Sequence, residues 1–99
     1  MKVFISPPMR DKTNEQIKAE RERAVKAIKE KFPGDEIEIM DSFFENAPHD
    51  AKPLWFLGKS IQLLSGADLA YFIGEWRNYR GCKAENYLAK EYGINTMEE

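Results

Sequence analysis

The stretch DLAYFIG, Asp68–Gly74, constrains this chain more than any other. Five consecutive apolar residues, Leu69 to Ile73, leave no polar side for solvent. A run of this kind suits a central strand buried on both faces, and such strands belong to parallel sheets covered by helices. The flanking sequence supplies the helices. Before the run, Leu54, Leu57, Ile61 and Leu64 share one helical face, with Pro53 at the helix start and Ser65-Gly66 at its end. After it, a helical pattern from about Arg80 to Tyr92 meets Gly93, a natural left-handed cap.

The rest of the chain repeats the alternation. Lys2–Ser6 (KVFIS) reads as a first strand, stopped by Pro7-Pro8. Thr13 and Gln16 have the spacing of a capping box, so a helix starts there, with Ile17, Arg21, Ala24, Val25, Ile28 and Phe32 on one face and Pro33-Gly34 at its end. Ile37 and Ile39 alternate within a second strand, Glu36–Met40. The order β-α-β-α-β-α predicts a three-layer α/β domain, a parallel sheet joined by right-handed crossovers. Ile94 can begin one more short strand, whereas the polar tail NTMEE is expected to fray.

Composition sets the outer bounds. A chain of 99 residues, 42% of them hydrophobic, fits a single domain over residues 1–99 with a modest core. A formal net charge of −2 gives no global basic field for nucleic acid. One cysteine excludes an intramolecular disulfide and suggests a reducing, cytoplasmic setting. No apolar run approaches the roughly 20 residues that cross a bilayer. His49 stands alone, so no metal centre is expected, and no cofactor is implied by any motif. Neither a phosphate-binding P-loop nor a G-x-G-x-x-G segment occurs.

In an open parallel sheet, ligands bind beyond the carboxyl ends of the strands. Three loops should meet there: Ser6 to Thr13, Asp41 to Pro53, and Gly74 to Gly81. The last contains EWRNYRG, dense in groups that can recognise a ligand. Arg77 and Arg80 can pair bidentately with a phosphate or can be solvated loop residues. Trp76 and Tyr79 can stack on a base or cap the sheet end. Gly81 can admit a ligand close to the backbone or serve the turn. Glu85, near the start of the last helix, is favoured in its ionised form by the helix dipole, and can be a nucleophile, a general base or an ordinary acidic residue. Arg21 interrupts an apolar stripe and can pair with Asp41 or Glu85, or snorkel. Cys82, also near the helix start, can have a lowered pKa, but it has no histidine partner in the pattern.

Taken together, KVFISPPM, LGKSIQLLSGADLAYFIG and RGCKAENYLAKEYG resemble the nucleoside 2-deoxyribosyltransferase-like superfamily, in particular its small, often phage- or prophage-encoded branch. The resemblance covers Lys2 to about Ile94. It implies a flavodoxin- or Rossmann-like three-layer α/β fold, with a parallel sheet of three to five strands and helices on both faces. It further implies that Ser6-Pro7-Pro8-Met9 binds the sugar, and that Gly81 to Glu85 carries the nucleophile, Glu85, which attacks the anomeric carbon and displaces the base. Ser6, Pro8, Met9, Arg21, Trp76, Arg77, Tyr79, Arg80 and Gly81 would bind the substrate. Pro7 replaces the family's usual glycine. Ser60 stands where the family usually has a catalytic Asp, and Asp41 could substitute for it. Asp68 begins a strand at the opposite end of the sheet.

The expected activity is therefore N-glycosyl transfer or hydrolysis on a nucleoside or its monophosphate. The alternative is a non-catalytic protein that holds a nucleotide or ribose-containing signal, for example as a phage accessory factor. A homo-oligomer is expected as well, because Trp55 and Phe56 make the second helix apolar on more than one side, and because the resemblance implies dimers or larger assemblies.

Overall fold

The computed structural model describes residues 1–6, 8, 10–40 and 47–99. It is an α/β domain built on one four-stranded, all-parallel sheet in the order β2-β1-β3-β4. The elements are β1 (Lys2–Ser6), α1 (Asn14–Lys31), β2 (Glu38–Ile39), α2 (Pro53–Leu64), β3 (Leu69–Phe72), a 3-10 turn (Trp76–Asn78), α3 (Arg80–Glu91) and β4 (Asn95–Glu98).

Local chemistry explains the boundaries. Thr13 accepts from the Gln16 amide at 3.1 Å while the Gln16 side chain accepts from the Thr13 amide at 2.9 Å, which completes the expected capping box. Pro53 occupies the first turn of α2, where a missing N–H costs nothing. Gly93 adopts φ +76, the left-handed conformation that ends α3.

Side chains alternate across a strand, so each strand feeds two cores. Val3, Ile5, Leu69, Tyr71 and Ile73 pack with Ala24 and Ile28 of α1. Phe4, Ala70 and Phe72 pack instead with Leu64 of α2, and with Cys82 and Ala89 of α3. α1 thus packs with one set of strand side chains, and α2 and α3 with the other. Topology accounts for the division. The chain moves from β1 to β2 in one direction, then crosses back to β3 on the other side of β1. Right-handed crossovers running in opposite directions must lie on opposite faces. The reversal falls between β1 and β3, and the crevice at their carboxyl ends is where such a sheet accepts a ligand.

Three expectations need correction. The tail does not fray: Asn95–Glu98 forms β4, paired in parallel with Leu69–Phe72. Leu54 does not share the buried face of α2, being 77% exposed, because the helix turns its first residues away from the sheet. The second and third strands are also shorter than their apolar runs, at two and four residues.

Candidate functional site

A pocket of about 370 Å³ opens beside the carboxyl end of β1, within the size range of small-molecule sites. Phe4 and Ile5 supply its sheet side, Pro53, Phe56, Leu57 and Ser60 its α2 side, and Tyr79, Arg80, Gly81, Cys82 and Glu85 its α3 side, with Arg10 at the edge. Its walls are mainly apolar, and its ionisable groups are Arg10, Tyr79, Arg80, Cys82 and Glu85.

Glu85 is the group with the most unusual surroundings. Only 6% of it is exposed. The hydroxyl of Ser6, where β1 ends, donates to Glu85 Oε1 at 2.8 Å. Burial pushes the Glu85 carboxyl up to about 7, against the opposing hydrogen-bonding influence of Ser6 and then of Ser60. The expectation that the helix start would hold Glu85 ionised is thus reversed. Glu85 is the sixth residue of α3, and the first turn carries no acidic residue. The dipole's influence fades within that turn, so desolvation dominates.

Cys82 departs from expectation for the same reason. It is buried, and desolvation raises its thiol to about 11 despite the nearby Ser6 hydroxyl. At neutral pH it is a small apolar lining group rather than a nucleophile.

The EWRNYRG stretch divides between two roles. Tyr79, Arg80 and Gly81 line the pocket. A Cβ built on Gly81 would meet nothing within 4 Å, so the backbone there faces open space. Trp76 and Arg77 do not line the pocket. Trp76 is a core residue, 5% exposed, with its ring 5.4 Å from that of Phe72. Arg77 lies over the Trp76 ring at 4.5 Å and donates to Glu98 Oε2 at 3.1 Å. A tryptophan in a loop next to the sheet end buries more apolar area by closing the core than by waiting for a ligand.

The remaining candidates are dispersed. Ser6 and Pro8 are fully buried, Ser6 against Glu85. Arg21 is half-buried and donates to the Met40 carbonyl at 3.0 Å, at the end of the second strand. Asp68 accepts from the Lys2 amide at 2.7 Å, a structural bond at the amino end of the sheet. Met9 and Asp41 lie outside the described residues.

Arg10, Phe56 and Leu57 belong to the lining although sequence reasoning did not place them there. Arg10 lies in the loop already assigned to the ligand edge, and its guanidinium sits 5.3 Å from the Tyr79 ring centre. The following residue, Asp11, adopts φ 65, an uncommon conformation for a residue other than glycine. Among the described residues no group of three or more His, Cys, Asp or Glu side chains could hold a metal ion. No helix among them is long and apolar enough to cross a membrane.

No family model, no curated protein and no solved structure matches this chain.

Proposed function

We propose that the pocket binds a nucleoside or nucleoside monophosphate and cleaves or exchanges its N-glycosidic bond through Glu85. The observation that carries this reading is a single carboxyl group, buried at the carboxyl edge of β1 and held by the Ser6 hydroxyl. In its ionised form Glu85 attacks the anomeric carbon, and the C–N bond breaks with its electron pair leaving on the base. The resulting glycosyl ester is opened by water, which gives hydrolysis, or by a second base, which gives transfer. This is the two-step logic of retaining glycosidases. A pKa of about 7 leaves a substantial ionised fraction at neutral pH and makes that carboxylate more basic than an exposed one. Asp41 is proposed as proton donor to the departing base, and Arg80 as partner to a 5′-phosphate.

The test is incubation with a panel of deoxynucleosides and their monophosphates, with free base followed by chromatography. Base release by the wild type and none by Glu85→Gln supports the reading. No release, and no change in melting temperature with any panel member, abandons it.

A second reading is favoured by Ser60. It lines the pocket as a hydroxyl, which is far too weak an acid to protonate a departing base. In that case the protein holds a nucleotide without turnover. Melting shifts without base release would identify this outcome. We also propose a cytoplasmic homo-oligomer, supported by the exposure of Leu54 beside the half-buried Trp55 and Phe56 on α2. Light scattering at micromolar concentration tests the assembly.

A further inference from the structure

A second carboxylate centre lies at the end of β4, in Glu98 and the residue after the strand, Glu99, and it is tied to the same loop and helix that build one wall of the pocket. Glu99 accepts from the Gly74 amide at 2.9 Å, the Tyr71 hydroxyl at 2.9 Å and Arg23 of α1 at 2.8 Å. Its own amide donates to the Phe72 carbonyl at 3.1 Å. Glu98 accepts from Arg77 of the 3-10 turn at 3.1 Å and from Asn86 of α3 at 2.9 Å, and pairs with Lys90 one turn further on at 2.7 Å. Asn86 is buried and directly follows Glu85.

These bonds have a common consequence. Gly74 takes φ 51, and from that turn the chain enters the segment that carries Tyr79, Arg80, Gly81, Cys82 and Glu85. Tyr79, which caps α3, makes no side-chain cap hydrogen bond. Glu99 fixes where the segment leaves the sheet, and Glu98 fixes the 3-10 turn and the flank of α3. We propose that Glu98 and Glu99 are positioning residues for the pocket, clamping the Gly74–Asn86 segment against β4 so that Glu85 stays sealed beside Ser6. The proposal rests on the pocket being the functional site, but not on which reaction it performs. Neither carboxylate touches the pocket, so each acts through the segment it holds.

The burial of Glu85 offers a readout that needs no ligand. Ser6 of β1, Ser60 of α2 and Cys82 of α3 interact with it, and Arg10, Tyr79 and Arg80 line the same pocket. If the clamp keeps the wall closed, loosening it admits water and lets the carboxyl titrate nearer its ordinary value. The experiment is carbon-detected NMR titration of the glutamate carboxyls in the full chain, with Glu85→Gln identifying the signal. It is repeated in Glu98→Gln, Glu99→Gln and Glu99→Ala. The expected result is a fall of the Glu85 pKa by about one unit in Glu98→Gln and Glu99→Ala. Glu99→Gln should show a smaller fall, because its amide oxygen still accepts from Gly74. A lower melting temperature with an unchanged Glu85 titration would overturn the proposal, since it would make the clamp structural only. If Glu99→Ala does not fold, the two glutamine variants, which keep the side-chain shape, decide alone. Because the titration is done without ligand, the clamp can fail while base release is observed, and the reverse.

Discussion

Glu85 and the Glu98–Glu99 pair are carboxylates tied to one turn-and-helix segment, and the protein treats them oppositely. Glu85 is buried against hydroxyl groups, and burial raises its pKa. Glu98 and Glu99 meet Arg77, Lys90 and Arg23 as well as amide and hydroxyl donors, and their pKa values are lowered. For Glu98 the leading cause is Lys90; for Glu99 burial alone would raise the value, and its hydrogen bonds to Arg23, Tyr71 and Gly74 outweigh it. A carboxylate placed to hold a fold together is given cations. One buried in a pocket and hydrogen-bonded by hydroxyls rather than paired with a cation is costly when ionised, which is the signature expected where binding or chemistry takes precedence over stability.

The largest expected effect separates the two centres by function. Glu85→Gln should lower base release by at least about 10³-fold, because the amide keeps the shape but is a very poor nucleophile. Glu98→Gln should leave release measurable. Comparable losses in both would break the distinction.

The next effect concerns stability, and its sign differs between the centres. The Glu85 pKa is raised on folding, so its protonated form is favoured in the native state. Its contribution is fully present below about pH 4.5 and is lost as pH rises through about 7. A shift of that size corresponds to on the order of 3 kcal/mol. Denaturant titrations should therefore find Glu85→Gln more stable than wild type at pH 8 by a large part of that amount, with little difference at pH 4.5. An Glu85→Gln protein that is less stable at pH 8 would show that the carboxylate is better solvated than its burial indicates. Removing the Ser6 hydroxyl should act in the reverse direction. Ser6→Ala takes a hydrogen bond from the ionised form, so the Glu85 pKa rises further, and stability at pH 8 falls by about 1.5–3 kcal/mol.

For Glu98 and Glu99 the lowered pKa values give stability that is present above the unfolded carboxylate range and lost as pH falls through the folded values. The side chains of Arg23, Arg77 and Lys90 are all more than half exposed, so each pair should contribute less than about 1 kcal/mol. Glu98→Gln should accordingly soften the acid limb of the stability profile and leave the alkaline limb unchanged.

How much of this was legible in the sequence depended on whether the signal was local. The capping box at Thr13, the proline start of α2, the glycine stop at Gly93 and the apolar β3 all declare themselves within a few residues, and the parallel sheet follows from their alternation, though not its strand order. β4 did not. Its side chains Asn95, Thr96, Met97 and Glu98 have no strand pattern, and the segment is ordered by its ladder to β3 and by cations and donors up to 76 residues distant. Glu85 was legible as a candidate but not in its ionisation state. The helix start at Arg80 was read from the sequence; the ionisation state depended instead on the cover supplied by Ser6 and α2, whose burial of the carboxyl no local window shows. Trp76 and Arg77 carried the composition of a ligand loop, yet the choice between capping the core and facing a ligand is settled by packing against Phe72 and Glu98, which no local window contains.

The smallest expected effect is the sharpest separation of pocket from framework, and it lies at Gly81. Glycine early in α3 costs helix stability, because it has more unfolded freedom to lose than alanine. Its conformation is helical rather than left-handed, and an added Cβ would meet no atom within 4 Å. Nothing in the fold therefore requires glycine here. Gly81→Ala should raise stability by up to about 1 kcal/mol, read as a small increase in the denaturation midpoint. The open space that receives the methyl group is the space in front of the pocket wall. The same variant should therefore weaken nucleotide binding or base release while making the protein more stable. If Gly81→Ala is stabilised and its ligand response is unchanged, the ligand does not approach α3 at this point, and the productive part of the pocket must lie toward Phe56 and Leu57. If it is destabilised, the glycine serves the turn after Tyr79, and its position on the pocket wall is incidental.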